Sequence, residues 1–231
     1  MKLYHISRCR INSKIFSPRI PKYHNELENA IIPRISVSDS IEGCISSVNK
    51  WLGNIQNSTI KFDNFTEAWV YEFDSTNISP ENLLSPHFIK DNYFIFDSPY
   101  TREHWIINQT AIPIKEYLIQ LQNAEYKDTI FQHTQKEIKR LVQLNNKNRT
   151  FTVRRFKKLK FIEWNPEDYL SYVKQGLLQY LNYYKNQTNG KELLLKYIDF
   201  QISLRENSND KVSMLFKSFY KFIQNKDNLN S

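Results

Sequence analysis

Glycine is scarce in this chain: four of the 231 residues are glycine, namely Gly43, Gly53, Gly176 and Gly190. Phosphate-binding loops and dinucleotide-binding turns need clustered glycines, because the backbone itself must come close to the phosphate. These four are spread along the chain and form no cluster. The sequence therefore excludes both of these nucleotide-binding designs.

The bulk composition predicts a folded chain without a membrane segment. Hydrophobic residues make up 40% and aromatic residues 14% of the chain, which is enough for a packed core. No segment approaches the ~18 consecutive apolar residues of a membrane helix, and the start MKLYHISRCR lacks the apolar region of a secretory signal. Cys9 and Cys44 follow no metal-ligand spacing. We expect a cytoplasmic protein with reduced thiols and no metal site.

Charge divides the chain into two parts. Residues 1–125 carry a net charge of −2, whereas residues 126–231 carry +10. A step of this size predicts a functional division near 122–130. We therefore expect an α+β domain over 1–125 and a basic, mainly helical domain over 126–231.

Short alternating apolar runs predict the strands of the first part. They lie at 2–7, 34–38, 67–73, 92–97, 103–108 and 112–121. Asp39 and Glu42 form a capping-box-like pair that predicts a helix after the second strand. One helical face then carries Ile41, Cys44, Ile45, Val48 and Leu52.

The second part begins with a basic strand or hairpin and continues as helices. The strand is predicted at 149–164, and Asn165-Pro166 then supplies an N-cap and a proline at the first helical position. Gly190 separates the first helix from the second, and Ser208 or Asp210 can cap a third, so that three helices are expected in all. The second domain is therefore predicted as a strand or hairpin plus a three-helix bundle.

Three strands carry the polar residues of a candidate pocket. Period-2 alternation places His5 on a face with Leu3 and Ser7, and it places Arg34, Ser36 and Ser38 together on the second strand. On the strand from 103, Glu103 shares a face with Trp105, and a carboxylate there is costly to bury without a partner. Each residue also has a structural interpretation: a histidine at the edge of the core, a solvated strand face, and a surface glutamate.

The order of these motifs resembles the ADP-ribosyltransferase-like fold, whose first strand often reads Tyr-His-Gly-Thr. The motifs are "LYHIS" (3–7), "PRIP" (18–21), "SIEGC" (40–44) and "TREHW" (101–105). They are also similar to elements in small proteins of Firmicutes and their phages. The resemblance covers roughly residues 2–121, and it implies a mixed β-sheet domain that uses NAD as a substrate. Such a protein is expected to be encoded by a phage or another mobile element.

The resemblance also implies roles for individual residues. His5 would hold a ribose hydroxyl of NAD, Ser38 or Ser36 would occupy the second-strand motif position, and Glu103 would be the catalytic carboxylate. Nicotinamide departure leaves positive charge on the ribose, which a fixed carboxylate stabilises. Trp105 or Tyr100 would stack on nicotinamide, and Arg34 and Ser36 would line the pocket.

Departures from the family pattern leave alternatives open. Ile6 follows His5 where the family has glycine, and the second strand has no tyrosine. Asp74 is a competing carboxylate if the strand order differs from the expected one. A non-catalytic NAD or ADP-ribose binder is therefore one alternative. Another is an interaction module without a pocket, in which His5 and Glu103 would lie far apart.

The basic strand is a second functional candidate. Its cations lie among Phe156, Leu159 and Phe161, and they are Arg154, Arg155, Lys157, Lys158 and Lys160. Basic residues attract phosphates and exposed aromatic rings stack on unpaired bases, so these residues predict contact with nucleic acid or with a host factor. A solvated strand face is the structural alternative.

Overall fold

The computed structural model describes residues 1–7, 10–21, 32–47, 67–203 and 211–225, without the side chains of residues 67, 121–126, 154, 156–158 and 166; Val48, Leu52, Ser208 and Asp210 of the predicted helices lie outside these ranges. These ranges form an α+β structure with seven strands and seven α-helices. The strands are β1 (Lys2–Ser7), β2 (Ile35–Ser38), β3 (Glu67–Asp74), β4 (Leu83–Leu84), β5 (Glu103–Ile106), β6 (Lys115–Gln132) and β7 (Thr150–Trp164). The helices are α1 (Ile41–Ser47), α2 (Pro86–Tyr93), α3 (Ser98–Thr101), α4 (Gln135–Gln143), α5 (Pro166–Tyr184), α6 (Gly190–Ser203) and α7 (Lys211–Gln224). None of these helices has both the length and the apolar character that a membrane span requires.

The strands form one sheet in the order β4-β5-β2-β1-β3-β6-β7. The pairs β1–β2, β2–β5, β4–β5 and β3–β6 are antiparallel. The order joins strands that are distant in the sequence, since β2 lies between β1 and β5. The strand β1, which carries His5, is thereby separated from β5, which carries Glu103, by the single strand β2.

Apolar residues cover both faces of the central strands. On one face Ile6, Val70 and Ile119 form a cluster with Ile41 and Ile45 of α1. Successive strand residues point to opposite faces, so Tyr71 and Phe73 of β3 point to the face of the sheet opposite Val70. There Tyr71 and Phe73 contact the ring of Phe16, at centroid distances of 4.9 and 5.2 Å. The ring of His5 in β1 lies on the same side, with centroid distances of 5.5 Å to Phe16 and 6.3 Å to Tyr71.

Most of the predicted strands are confirmed, but the strand predicted at 92–97 is wrong. Helix α2 occupies the first part of that range, and Phe94 ends the helix with a left-handed backbone at φ 61°. The helix begins because the Ser85 side chain accepts a hydrogen bond from the Phe88 amide and Pro86 occupies the first turn. The local start signal therefore overrides the β propensity of the aromatic run. The predicted Asp39 cap is wrong as well, because the Ser40 hydroxyl accepts from the Gly43 amide instead.

Two compact units divide the chain, and the division does not follow the charge. The sheet unit contains residues 1–6 and 14–162, and the helical unit contains residues 7–13 and 163–231. The predicted boundary at 125/126 falls inside β6, because β6 and β7 continue the sheet through the basic region. Residues 126–162 contain 11 Lys and Arg but two Asp and Glu, whereas residues 163–231 contain nine and eight. The basic excess thus lies in the region of β6, α4 and β7 and not on the helices of the helical unit.

The described part of the helical unit contains three helices, as predicted. Asn165 caps α5 by accepting a hydrogen bond from the Glu167 amide at 3.1 Å, and Pro166 occupies the first helical position. Leu177, Leu194 and Phe216 are buried representatives of α5, α6 and α7. The three helices pack against one another, as the apolar spacing predicted.

Candidate functional site

Three neighbouring strands bring the predicted motif residues to one pocket in the sheet unit. Ser38 of β2 lies opposite Glu103 of β5, and Tyr4 of β1 lies opposite Ser38. The cavity volume is about 70 Å³, which is room for several water molecules or one small polar group. The lining residues are His5, Ile6, Ser36, Val37, Ser38, Cys44, Ser47 and Glu103.

His5 is held by a hydrogen bond across the strands. Its Nδ1 lies 2.9 Å from the carbonyl oxygen of Ser36, and since a carbonyl can only accept, Nδ1 carries the proton. Burial lowers the pKa of His5 below its ordinary value, and the charge of Arg19 lowers it further, against the opposing effect of the Ser36 carbonyl. The ring is therefore neutral at pH 7, with Nε2 as a hydrogen-bond acceptor.

Ser38 is buried and its hydroxyl is used by the fold. Its Oγ donates to the carbonyl oxygen of Thr101 at 3.0 Å, and it accepts from the Ser40 amide at 3.4 Å. The close approach depends on Gly43, where a Cβ atom would lie 2.1 Å from Ser38 Oγ and 2.3 Å from the Thr101 oxygen. The geometry fits a residue that joins β2 to α3 better than a nucleophile.

Glu103 is fixed at the start of β5 from two sides. The indole Nε1 of Trp105 donates to Glu103 Oε1 at 2.8 Å. The preceding residue, Arg102, pairs with Asp39 at an N–O distance of 2.6 Å, which ties the start of β5 to the end of β2. The carboxylate is half-buried and lines the pocket. Such a carboxylate is oriented before any ligand binds.

Cys44 and Ser47 line the pocket but were not singled out from the sequence as site residues. The Cys44 thiol donates to the Tyr4 carbonyl oxygen at 3.0 Å. Burial raises the pKa of this thiol, and the nearby charges of Glu103 and Asp39 raise it further. The thiol therefore stays protonated and is a poor nucleophile. The helical spacing of Ile41, Cys44 and Ile45 was the available signal, because it turns this face of α1 toward the sheet.

Arg34 and Trp105 are buried beside the pocket and do not line it. Arg34 is 3% exposed and Trp105 is 0% exposed. The Arg34 guanidinium carbon lies 4.0 Å from the centroid of the Trp105 ring, and the Tyr93 ring stacks on the same indole at 5.1 Å. An indole with these neighbours supports Glu103 through its N–H, whereas its predicted role was to contact NAD directly.

The other two candidates for the pocket lie elsewhere in the sheet unit. Asp74 caps a 3₁₀ turn by accepting from the Thr76 amide at 3.0 Å, and this bond lowers the pKa of the carboxyl. It does not line the pocket. Tyr100 packs on Phe131 at a centroid distance of 4.1 Å. Because His5 and Glu103 both line the pocket, the expectation that they lie far apart is wrong. The register of β1, β2 and β5 nevertheless turns the two side chains toward opposite faces of the sheet.

The predicted basic strand is confirmed as β7, at one end of the sheet order. Arg155 and Lys160 are exposed, whereas Leu159 packs against the core cluster. The side chains of Arg154, Lys157 and Lys158 lie outside the described residues. Cations on a terminal strand also discourage pairing with another sheet, so the exposed charge has a structural use.

Comparisons with protein-family models, curated proteins and solved structures found no match. Within the described ranges, no three His, Cys, Asp or Glu side chains are arranged to hold a metal ion. The pocket geometry is therefore the main source for a functional conclusion.

Proposed function

We propose that the protein is an NAD-dependent ADP-ribosyltransferase that acts on a protein or nucleic-acid acceptor. The supporting observation is that His5, Ser38 and Glu103 come from separate parts of the chain and line one pocket. The proposal carries with it an ADP-ribosyltransferase-like fold for the sheet unit. It places a hydroxyl group of the reacting ribose of NAD in the pocket and the remainder of the dinucleotide outside it.

The residues of the pocket suit the chemistry of this transfer. The neutral His5 ring offers Nε2 as an acceptor for a ribose hydroxyl. When the bond from ribose C1′ to the nicotinamide nitrogen breaks, nicotinamide leaves with the electron pair and positive charge develops on the ribose. The Glu103 carboxylate, oriented by the Trp105 indole, stabilises that charge and accepts the proton of the incoming nucleophile.

Release of nicotinamide from NAD tests the proposal. We expect the wild-type protein to release nicotinamide and Glu103→Gln to lose at least about 100-fold in rate, since positioned acid–base and electrostatic groups contribute about that much. Asp74→Asn is the matched control, because it removes a carboxylate outside the pocket. NAD binding without release would support the non-catalytic alternative, and neither binding nor release would refute both.

A second candidate function is contact with nucleic acid through the basic part of the sheet unit. The observation that favours it is the charge of residues 126–162, which contain 11 cations but two anions. Exposed Lys160 and Arg155 belong to this excess. Cations of this density attract phosphates and make binding dependent on salt. A titration of an oligonucleotide at two salt concentrations tests this function, and binding that is absent or insensitive to salt would refute it.

A further inference from the structure

Three aromatic rings contact one another beside the basic strand. Tyr100 of α3, Phe131 of β6 and Phe151 of β7 make up this group, the aromatic ladder. The rings of Tyr100 and Phe131 are 4.1 Å apart and inclined by 31°, and those of Phe131 and Phe151 are 5.3 Å apart and inclined by 20°. All three residues are partly exposed. The rings of Tyr100 and Phe151 are also 6.2 Å apart and inclined by 49°, so the three rings form a compact cluster that is partly exposed.

A buried layer supports the ladder from below. Phe96 and His133 are each 8% exposed. Their rings lie 6.0 and 4.9 Å from that of Phe151. Phe96 and His133 are thus buried, while the three ladder residues keep part of their surface exposed to solvent. This arrangement holds the three rings in place before a ligand arrives.

Positive charge lies along the same face. The Arg155 guanidinium carbon lies 4.9 Å from the centroid of the Tyr100 ring. Phe151 and Arg155 share one face of β7 by strand alternation. Arg155 is exposed, and so is Arg149, which directly precedes β7. A binding site for single-stranded nucleic acid combines aromatic rings, on which the bases stack, with cations, which neutralise the phosphates.

We propose that the aromatic ladder binds unpaired bases of single-stranded nucleic acid, with Arg149 and Arg155 on the adjoining phosphates. The proposal deepens the second candidate function, because it names the strand state of the ligand and the rings that hold it. It is independent of the NAD pocket. The ligand is recognised by stacking, so single strands are preferred to duplexes, whose bases are already stacked on one another.

Fluorescence anisotropy with a labelled oligothymidylate of about 15 nucleotides tests the ladder. We expect Phe131→Leu and Phe151→Leu, which keep an apolar side chain, to weaken binding by at least about fivefold each, as expected for the loss of a stacked base. Arg155→Gln should weaken binding and reduce its salt dependence by about one phosphate contact. Lys174→Gln, an exposed cation of α5, is the matched control and should leave binding unchanged.

A second probe keeps the test independent of how the variants fold. An oligomer of equal length built from abasic residues has the same phosphate charge but no bases, and we expect it to bind at least about tenfold more weakly. Oligouridylate run in parallel decides between RNA and DNA as the better ligand, and binding of either supports the ladder. Equal affinity for the abasic oligomer or for a duplex overturns it, even if the salt dependence confirms the second candidate function. Absence of binding to every probe overturns both.

Discussion

Substitution of Gly43 by alanine tests whether close packing builds the pocket. The added Cβ would lie 2.1 Å from Ser38 Oγ and 2.3 Å from the Thr101 carbonyl oxygen. Both distances are too short for a nonbonded contact between carbon and oxygen. The Thr101 oxygen belongs to the backbone, so it cannot rotate away. Either α1 must move or the hydrogen bond from Ser38 to Thr101 must break.

Two effects of the Gly43→Ala change oppose each other. Alanine is favoured over glycine in a helix by about 1 kcal/mol. Overpacking costs about 1–3 kcal/mol, and a buried hydrogen bond that is lost without replacement costs about 1–3 kcal/mol more. The steric effect therefore dominates, and the expected net loss of stability is about 3 kcal/mol, within a range of about 1–5.

Urea unfolding of the sheet unit measures this loss. The midpoint should fall by on the order of 1 M. Gln143→Ala, at an exposed position of α4, is the matched control, because it changes helix propensity without a clash and should be neutral or slightly stabilising. If Gly43→Ala unfolds at the wild-type midpoint or above it, the packing of α1 against Ser38 and Thr101 is contradicted.

Two further predictions concern stability. Because burial lowers the pKa of His5, the unfolded chain binds more protons than the folded one below about pH 6.5, and stability falls as the pH drops through this range. His5→Asn retains an N–H near Nδ1 and does not titrate, so its urea midpoint should fall less between about pH 7 and 5.5; equal pH dependence in both proteins would contradict the buried, neutral ring. Thr134 and Glu137 form a capping box at the start of α4, and Thr134→Ala should cost about 1 kcal/mol. A calorimetric or urea measurement that finds no loss would show that the box contributes nothing.

The sequence predicts the fold best where the chain patterns are local and strong. Alternation predicted β1 and β3 closely, and Asn165-Pro166 marked the start of α5. The error at 92–97 arose because Tyr93, Phe94 and Phe96 suit a strand, while the Ser85-Pro86 start signal was overlooked. Helix α4 was also missed, although Thr134 and Glu137 carry a recognisable capping pattern. The unit boundary could not be read from charge, because charge reports a surface and not the extent of a sheet.

The sequence indicated several residues of the site but not their arrangement. Period-2 patterns indicated which faces His5, Ser38 and Glu103 occupy on their own strands. They could not indicate that β2 lies between β1 and β5, because strand order depends on long-range pairing. Burial of Trp105 beneath Arg34 and Tyr93 depends on tertiary contacts as well. The clash that a side chain at Gly43 would cause is likewise invisible in a single sequence.

Thermal unfolding with and without millimolar NAD tests the central claim most directly. A ligand that binds only the folded state adds about 2.7 kcal/mol at a hundredfold excess over its dissociation constant, which corresponds to an increase in Tm of about 5–10 °C for a chain of this size. The account predicts this increase for the wild type and for Asp74→Asn, and a smaller one for His5→Asn. An unchanged Tm of the wild-type protein at every NAD concentration would contradict the pocket's assignment to NAD.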